Sequence, residues 1–508
     1  MRNNKIYFKL MLVGLTFAGC NKYLDVNNDP NRVTDANITP ELIFTQAEVA
    51  VGARQAGGDF LFLEHWMGYS AQNGGFAPQQ NEVSYNIDPS FSNAIFVNHF
   101  DVLFDLHQAE VKGLESGDTA LTAASMIMES KLWQELVDLY GNIPYSQAFQ
   151  VNTTTTPGYD NAQDIYNSLQ LKLDTAVTYL QNTVASNSFA KADVIAAGNT
   201  SLWIAFANTM KLRLMIRQSQ VSGFDPTADA NKIVANGGPL GAGQTIADNP
   251  GFVNDVNKQN NFYAAFGWSP TGVVSTGSDN ANNYIVSILG GNGDPRLARF
   301  FYPVGFSGNT FAGAVYGENV GSIPTQANLS YFGPGIVGTI NANNQGDGTG
   351  AVQNQWIMTS FESMFLTAEA IARGWLPGNA QTAYEAAVTE SFVWLGVPDA
   401  NNAATAYLAS TAGSWLGNAG VTVASQATFI TYQKYLANTM IDPLESYSDL
   451  RRLNMLSDDS YISQAPGKIS NTLPVRLLYP QSEYTTNGTN VNKEGTINAF
   501  TSKLFWEP

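Results

Sequence analysis

Cysteine, histidine and charge are scarce in this chain. Its 508 residues include one cysteine and three histidines, and only 13% of them are charged. A lone cysteine cannot close an intramolecular disulfide, which excludes a disulfide scaffold. His65, His99 and His107 leave little room for a histidine-rich metal site, and no metal or cofactor is expected. Low charge without a strict repeat excludes coiled-coil and collagen-like chains. Positive charge is the rarer sign, with 25 Lys and Arg against 42 Asp and Glu, and a net charge of −17 argues against a nucleic-acid partner. No apolar run reaches the roughly 20 residues of a transmembrane helix. A P-loop lysine motif, HExxH and GxSxG are also missing. What is present is apolar and aromatic. The chain is 44% hydrophobic, with 28 Phe, 22 Tyr and 9 Trp, enough for a large core and too much for intrinsic disorder.

The one cysteine stands in a telling place. Arg2, Lys5 and Lys9 precede the apolar run Leu10–Phe17, and Ala18-Gly19-Cys20 follows. A basic start, a short apolar stretch and a small-residue junction describe a secretory signal. Phe17-Ala18-Gly19-Cys20 also resembles the lipobox of bacterial lipoproteins, with Phe17 where that motif usually has Leu. The resemblance implies a diacylglyceryl group on Cys20 and cleavage before it. Residues 1–19 are therefore expected to be a signal peptide, and 20–38 a lipidated tether and lead-in. Removing residues 1–19 takes away three basic and no acidic residues, so the net charge moves from −17 to −20.

Residues 39–508 are expected to form one domain. Thr39-Pro40 opens a helix through about Val51. Helical spacing runs over about 91–219. It includes a helix that starts at Asp118 and closes at Gly141, one face formed by Ile165, Leu169, Leu173, Ala176 and Leu180, and an amphipathic helix over 200–219. Asp160 to Gln163 reads as a capping box. Helices resume over about 357–456. Between them, residues 221–355 are rich in Gly, Asn, Ser and Thr, and runs such as NFYAAFGW and YIVSIL are too short to decide between strand and helix. The last 40 or so residues are again irregular. Paired helices suggest helix–turn–helix repeats, although only fragments of a tetratricopeptide register are visible.

Catalytic signals are thin. Gly333-Pro-Gly335-Ile-Val-Gly338 matches GxGxxG, but no strand leads into it and no helix follows. Glu362 and Glu369, seven apart, share a helix face and read as surface or capping carboxylates; a glycosidase would need two carboxylates about 5 Å apart in a cleft. Asp101 and Asp105 are equally ordinary, and Asp347 lacks calcium-loop spacing. His65 beside Trp66 reads either as a ligand-facing pair or as a partly buried histidine with its hydrogen bonds satisfied. The better candidates belong to a recognition surface, where aromatic faces stack on ligand and amides orient it. One group is Trp66, Tyr69, Gln72, Asn73, Phe76, Gln79 and Tyr85. The other is Asn261, Phe262, Tyr263, Phe266 and Trp268.

Six strings in order carry a family resemblance: YLDVNNDPN after the cysteine, LWQELVDLYGNIPYSQAF at 132–149, WIAFANTMKLRLMIR at 203–217, GDPRLARFFYP at 293–303, SFESMFLTAEAIARGW at 360–375 and LPVRLLYPQSEYTTNGTNV at 473–491. The chain resembles the SusD/RagB family of outer-membrane nutrient-binding lipoproteins, within it the SusD-like subgroup. The resemblance implies an all-α fold, a tetratricopeptide-like scaffold of helix pairs with irregular excursions building the ligand face. It implies lipid anchoring at the outer membrane, facing the exterior. It implies a SusC-like TonB-dependent transporter as partner, an oligosaccharide or peptide as ligand, and no catalysis. An anchored glycoside hydrolase is the competing class. Ligand residues vary within the family, so none carries over; the DPR, DLYG and AEA segments are expected to be structural, with Arg296 bonding carbonyls in a turn and Tyr140 packing between helices.

Overall fold

The computed structural model describes residues 38–508 apart from 57, 92, 151 and 320. The expected signal peptide, Cys20 and the tether up to residue 37 lie outside the described residues. Pro40 starts α1 (Pro40–Gln55), which runs one turn beyond the expected Val51. Thr39 precedes it in an extended conformation, but its hydroxyl makes no capping bond. Helix α1 buries Phe44 against Phe189 and Trp203, with ring centroids 5.7 and 6.1 Å apart. The short α2 (Leu61–Trp66) leads into strand β1 (Ser70–Gln72).

Helices α3 (Asn93–Ser116) and α4 (Thr119–Tyr140) form a tight hairpin. Gly117 turns the chain at φ +79°, and the Asp118 carboxylate accepts from the Leu121 amide at 3.0 Å, as an N-cap should. Every residue of α4 from Ala120 to Tyr140 is buried. A helix buried all round must pair its charges, and α4 carries Glu129, Lys131, Glu135 and Asp138. Gly141, at φ +77°, ends it. Helix α5 (Ala162–Gln181) packs on α4 and buries the expected face of Ile165, Leu169, Leu173, Ala176 and Leu180. Its cap differs from the expected box. Asn161 accepts from the Gln163 and Asp164 amides, while Asp160 turns away to bind the Tyr145 and Ser146 amides. Helix α6 (Thr200–Arg217), capped by Asn199, closes this half against α4 and α5.

The excursion over 221–355 holds only short elements, among them helices at Thr227–Ala235 and Leu297–Phe300, β2 (Ile246–Asp248), α7 (Asn261–Phe266), β3 (Asp279–Ala281) and α8 (Asn283–Gly291), and β4 (Gln355–Met358) closes it. The two undecided strings are therefore helices α7 and α8. Strands β1 and β3 pair antiparallel, Ala71 opposite Asn280, and β2 pairs with β4. The second helical half follows as α9 (Ser360–Ala372), α10 (Ala380–Trp394), α11 (Ala400–Leu408), α12 (Val423–Ala437) and α13 (Pro443–Leu453). Helix α9 packs on α10, α12 and α6, so α6 and α9 join the halves. At that junction Thr209 and Ser363 bring small hydroxyls within 3.1 Å.

The halves are also riveted by buried charge. Glu445 of α13 accepts from Arg213 Nε at 2.9 Å, Arg217 Nη2 at 2.6 Å and Lys434 Nζ at 2.5 Å. Arg217 reaches Asp138 of α4 at 3.0 Å, and Arg452 grips Glu369 of α9 with two bonds of 2.6 and 2.8 Å. The fold is all-α, with a tetratricopeptide-like scaffold of helix pairs. Among the described residues no helix is long and apolar enough to cross a membrane.

Candidate functional site

The irregular side of the molecule is organised around the β1–β3 pair. His65, at the end of α2, lies beneath it. Its Nδ1 is 2.6 Å from Glu82 Oε1 and its Nε2 3.1 Å from Asp279 Oδ1. Burial alone would lower this imidazole, but Glu82 and Asp279 outweigh it and raise it to about 10. His65 is thus a fully buried, doubly paired cation rather than a ligand-facing group. It ties α2, the 80–83 turn and β3 together and so fixes both ends of the loop from Gln72 to Glu82.

Most of the aromatic residues expected at the ligand lie in the core. Trp66 is covered by Phe91, stacked at 6.1 Å, with Phe62 and Tyr85 edge-on. Tyr69 stacks on Tyr435 at 4.9 Å and donates its hydroxyl to Ser446. Tyr85 accepts from the Ser463 amide at 2.7 Å. Phe262 is packed between Phe266 and Trp356, and Tyr263 lies against Trp268. Asn73 spends its amide on the Gly277 carbonyl, the Asn280 side chain and the Gly75 amide. These residues, with Trp268, are all under 3% exposed, so their faces meet neighbouring side chains rather than solvent. Gln72 is half-buried and Gln79 exposed, and Phe76 is 48% exposed.

Trp268 has a supporting position. Its ring lies under Tyr331 at 5.6 Å, Tyr302 at 6.2 Å and Phe306 at 6.3 Å. Phe306, half-buried, sits at φ +59° directly after Gly305 at φ +66°. Such a backbone costs a non-glycine residue about 1–3 kcal/mol and persists only where surroundings hold it. Phe306, Tyr331, Leu329, Val274, Ala327 and Gln326 line a cavity of about 180 Å³. Gln326 anchors its rim by donating to the Thr276 carbonyl at 3.2 Å. On the other side of this segment Phe76 lies so close to Gly277 that a Cβ there would meet its ring at 3.3 Å. The arrangement is an exposed aromatic edge beside a small apolar cavity with the Gln326 amide at its rim, chemistry that suits stacking and orienting a ligand. The sequence reading missed Phe306, whose only signal is its place in a Gly-Phe turn.

The carboxylates singled out earlier are not poised for catalysis. Glu362 and Glu369 are each 1% exposed, neither surface nor capping groups, and both face the arginines of the interhelix network. Asp347 is a loop pin, taking the Thr349 amide at 2.9 Å and its hydroxyl at 2.7 Å. The GxGxxG string is a loop laid against residues 299–301, where Gly333 approaches so closely that a Cβ would fall 2.4 Å from the Phe301 nitrogen.

A family model named SusD-like and described as starch-binding, associating with the outer membrane, matches residues 30–480. The chain belongs to the SusD-like family. Solved structures agree on the fold. A chitin-binding SusD homolog from Flavobacterium johnsoniae is 22% identical, with 91% of this chain and 98% of that one covered at a TM-score of 0.73. A SusD/RagB family protein from Bacteroides thetaiotaomicron is 19% identical over 92% and 99%, at 0.72. A SusD homolog from Bacteroides fragilis is 21% identical over 92% and 99%, at 0.70. No curated protein matches the sequence significantly.

Within the described residues, the DLYG, DPR and AEA segments prove to be structural. Asp138 of DLYG, Arg213 and Arg217 of the 203–217 string and Glu369 of AEA are members of the buried ionic network. Arg476 of the C-terminal string donates to the Tyr140 carbonyl, and Tyr140 packs edge-on against Phe96 at 5.2 Å. Arg296 of DPR departs from its expected role. Among the described residues its guanidinium bonds no carbonyl; it clasps the Asp294 carboxylate, donates to Ser391 Oγ at 3.1 Å and lies over Phe392 and Tyr407. Arg296 thereby clips the excursion onto α10.

Proposed function

We propose that this SusD-like chain is a cell-surface lipoprotein that captures an oligomeric nutrient, foremost a glycan, and hands it to a SusC-like TonB-dependent transporter without catalysing a reaction. The match of residues 30–480 to a family described as starch-binding and outer-membrane-associated carries this reading. The chitin-binding relative and the aromatic edge at Phe76 and Phe306 support the glycan. Burial of Glu362 and Glu369 speaks against an anchored hydrolase.

The test is a glycan and oligopeptide array probed with the chain lacking residues 1–20. Saturable binding of an oligosaccharide with no release of reducing ends is expected. Binding of oligopeptides alone would make the ligand a peptide, and release of reducing ends would make the protein an enzyme. Phe306→Ala should weaken binding of the glycan found by about 0.5–1.5 kcal/mol, the worth of one stacked ring. Unchanged affinity in both Phe306→Ala and Phe76→Ala would move the ligand site elsewhere.

Cys20 is the proposed anchor. Wild-type chain should incorporate a palmitate analogue and fractionate with the outer membrane, and Cys20→Ser should do neither. An unlabelled wild type would overturn the anchor.

A further inference from the structure

Helices α3, α4 and α5 converge on a second polar cluster, unrelated to the nutrient reading. His107 and Glu110 stand three apart on one face of α3. Glu129 comes from α4 and Lys172 from α5. One ligand atom from each of His107, Glu110 and Glu129 lies within 4.8 Å of the others. The Glu129 side chain is 2% exposed, and its Oε1 stands 4.0 Å from His107 Nδ1 with no hydrogen-bond partner among the described residues. A buried carboxylate oxygen left bare is costly and calls for a cation or proton. Lys172 does not fill that place. Its Nζ holds Oε2 of Glu110 at 2.7 Å and Oε2 of Glu129. It thus steadies both carboxylates from the far side and leaves Glu129 Oε1 turned towards the imidazole. His107 is 37% exposed and stacks on Phe149 at 5.4 Å, which sets its plane while one edge meets solvent.

We infer that His107, Glu110 and Glu129 form a binding site for a divalent transition-metal ion of the zinc class. One imidazole nitrogen with two carboxylate oxygens is a donor set zinc accepts, whereas calcium and magnesium favour oxygen alone. Tetrahedral ligands about 2.0–2.1 Å from zinc stand roughly 3.3–3.5 Å apart, so the imidazole nitrogen, 4.0 Å from Glu129 Oε1, must close in by about half an ångström. Rotation of the half-exposed His107 ring supplies that movement, and water completes the shell from the open side. Lys172 plays the orienting part that outer hydrogen-bond partners play around metal ligands.

The test is calorimetric titration of Zn²⁺ into the chain carrying no histidine tag, with Co²⁺ absorption as a second readout. One equivalent of Zn²⁺ should bind and raise the thermal midpoint. His107→Ala and Glu110→Gln, both at partly exposed positions, should each weaken binding about tenfold or more and abolish the Co²⁺ band. Absence of Zn²⁺ and Co²⁺ binding at millimolar metal would overturn the site. So would binding of undiminished affinity in His107→Ala.

Discussion

Replacement of Glu445 by Ala is expected to destabilise the fold by about 3–5 kcal/mol, the usual consequence of removing one partner from a buried ion pair. Glu445 is fully buried, and its two oxygens serve Arg213 and Arg217 of α6 and Lys434 of α12. Burial pushes this carboxyl up, but the three cations outweigh it and hold it well below the usual range. Its loss leaves three buried cations facing fewer anions, at the place where the two helical halves meet. Glu362 offers only partial compensation. Burial holds that carboxyl above its ordinary range despite Arg213, and with Glu445 gone it would more readily take up the negative charge. Glu445→Gln separates charge from shape. It keeps the volume and should still cost most of the stability, because an amide cannot neutralise the three cations. Urea unfolding of wild type and both variants decides the matter; coincident midpoints would refute the role given to this network.

His65→Ala should have a comparable cost, about 3–5 kcal/mol, because it strands Glu82 and Asp279 as buried anions. The sign with pH follows from the shift. The folded imidazole titrates at about 10 against an ordinary value of 6.5. Its stabilisation is therefore fully present below pH 6.5 and disappears as pH rises through about 10. The stability gap between wild type and His65→Ala, measured by urea unfolding across that range, should be widest at the acid end and shrink towards the alkaline end. A gap independent of pH would mean that the ring acts by packing alone. Since the same contact fixes the loop that carries Gln72 and Phe76, the variant should also lose affinity for the nutrient.

The helical scaffold was largely legible because its signals are local. Asp118 and Gly141 bracket α4 within one stretch of chain, and the buried stripe of α5 repeats at helical spacing. Helices α7 and α8 were not legible, since six or nine residues give too few turns for a period to show. The Asp160 cap failed for a related reason. Two neighbouring residues could both cap, and the choice fell to Asn161 because Asp160 is taken by the 145–146 turn. Which of the candidate rings reach solvent was not legible either. Trp66 and Phe306 are both aromatics in irregular surroundings, yet one is sealed by Phe91 and the other reaches the surface.

The sequence by itself determined the family, the order of helical and irregular segments and the candidate lipid site at Cys20, all of which depend on residues close together in the chain. Only the tertiary structure decided which carboxylates are paired and which rings see solvent. Arg452 meets Glu369 from 83 positions away, and His65 meets Asp279 from 214. Burial and charge pairing are relations between distant segments. No local pattern in either segment records them until the fold brings the two together.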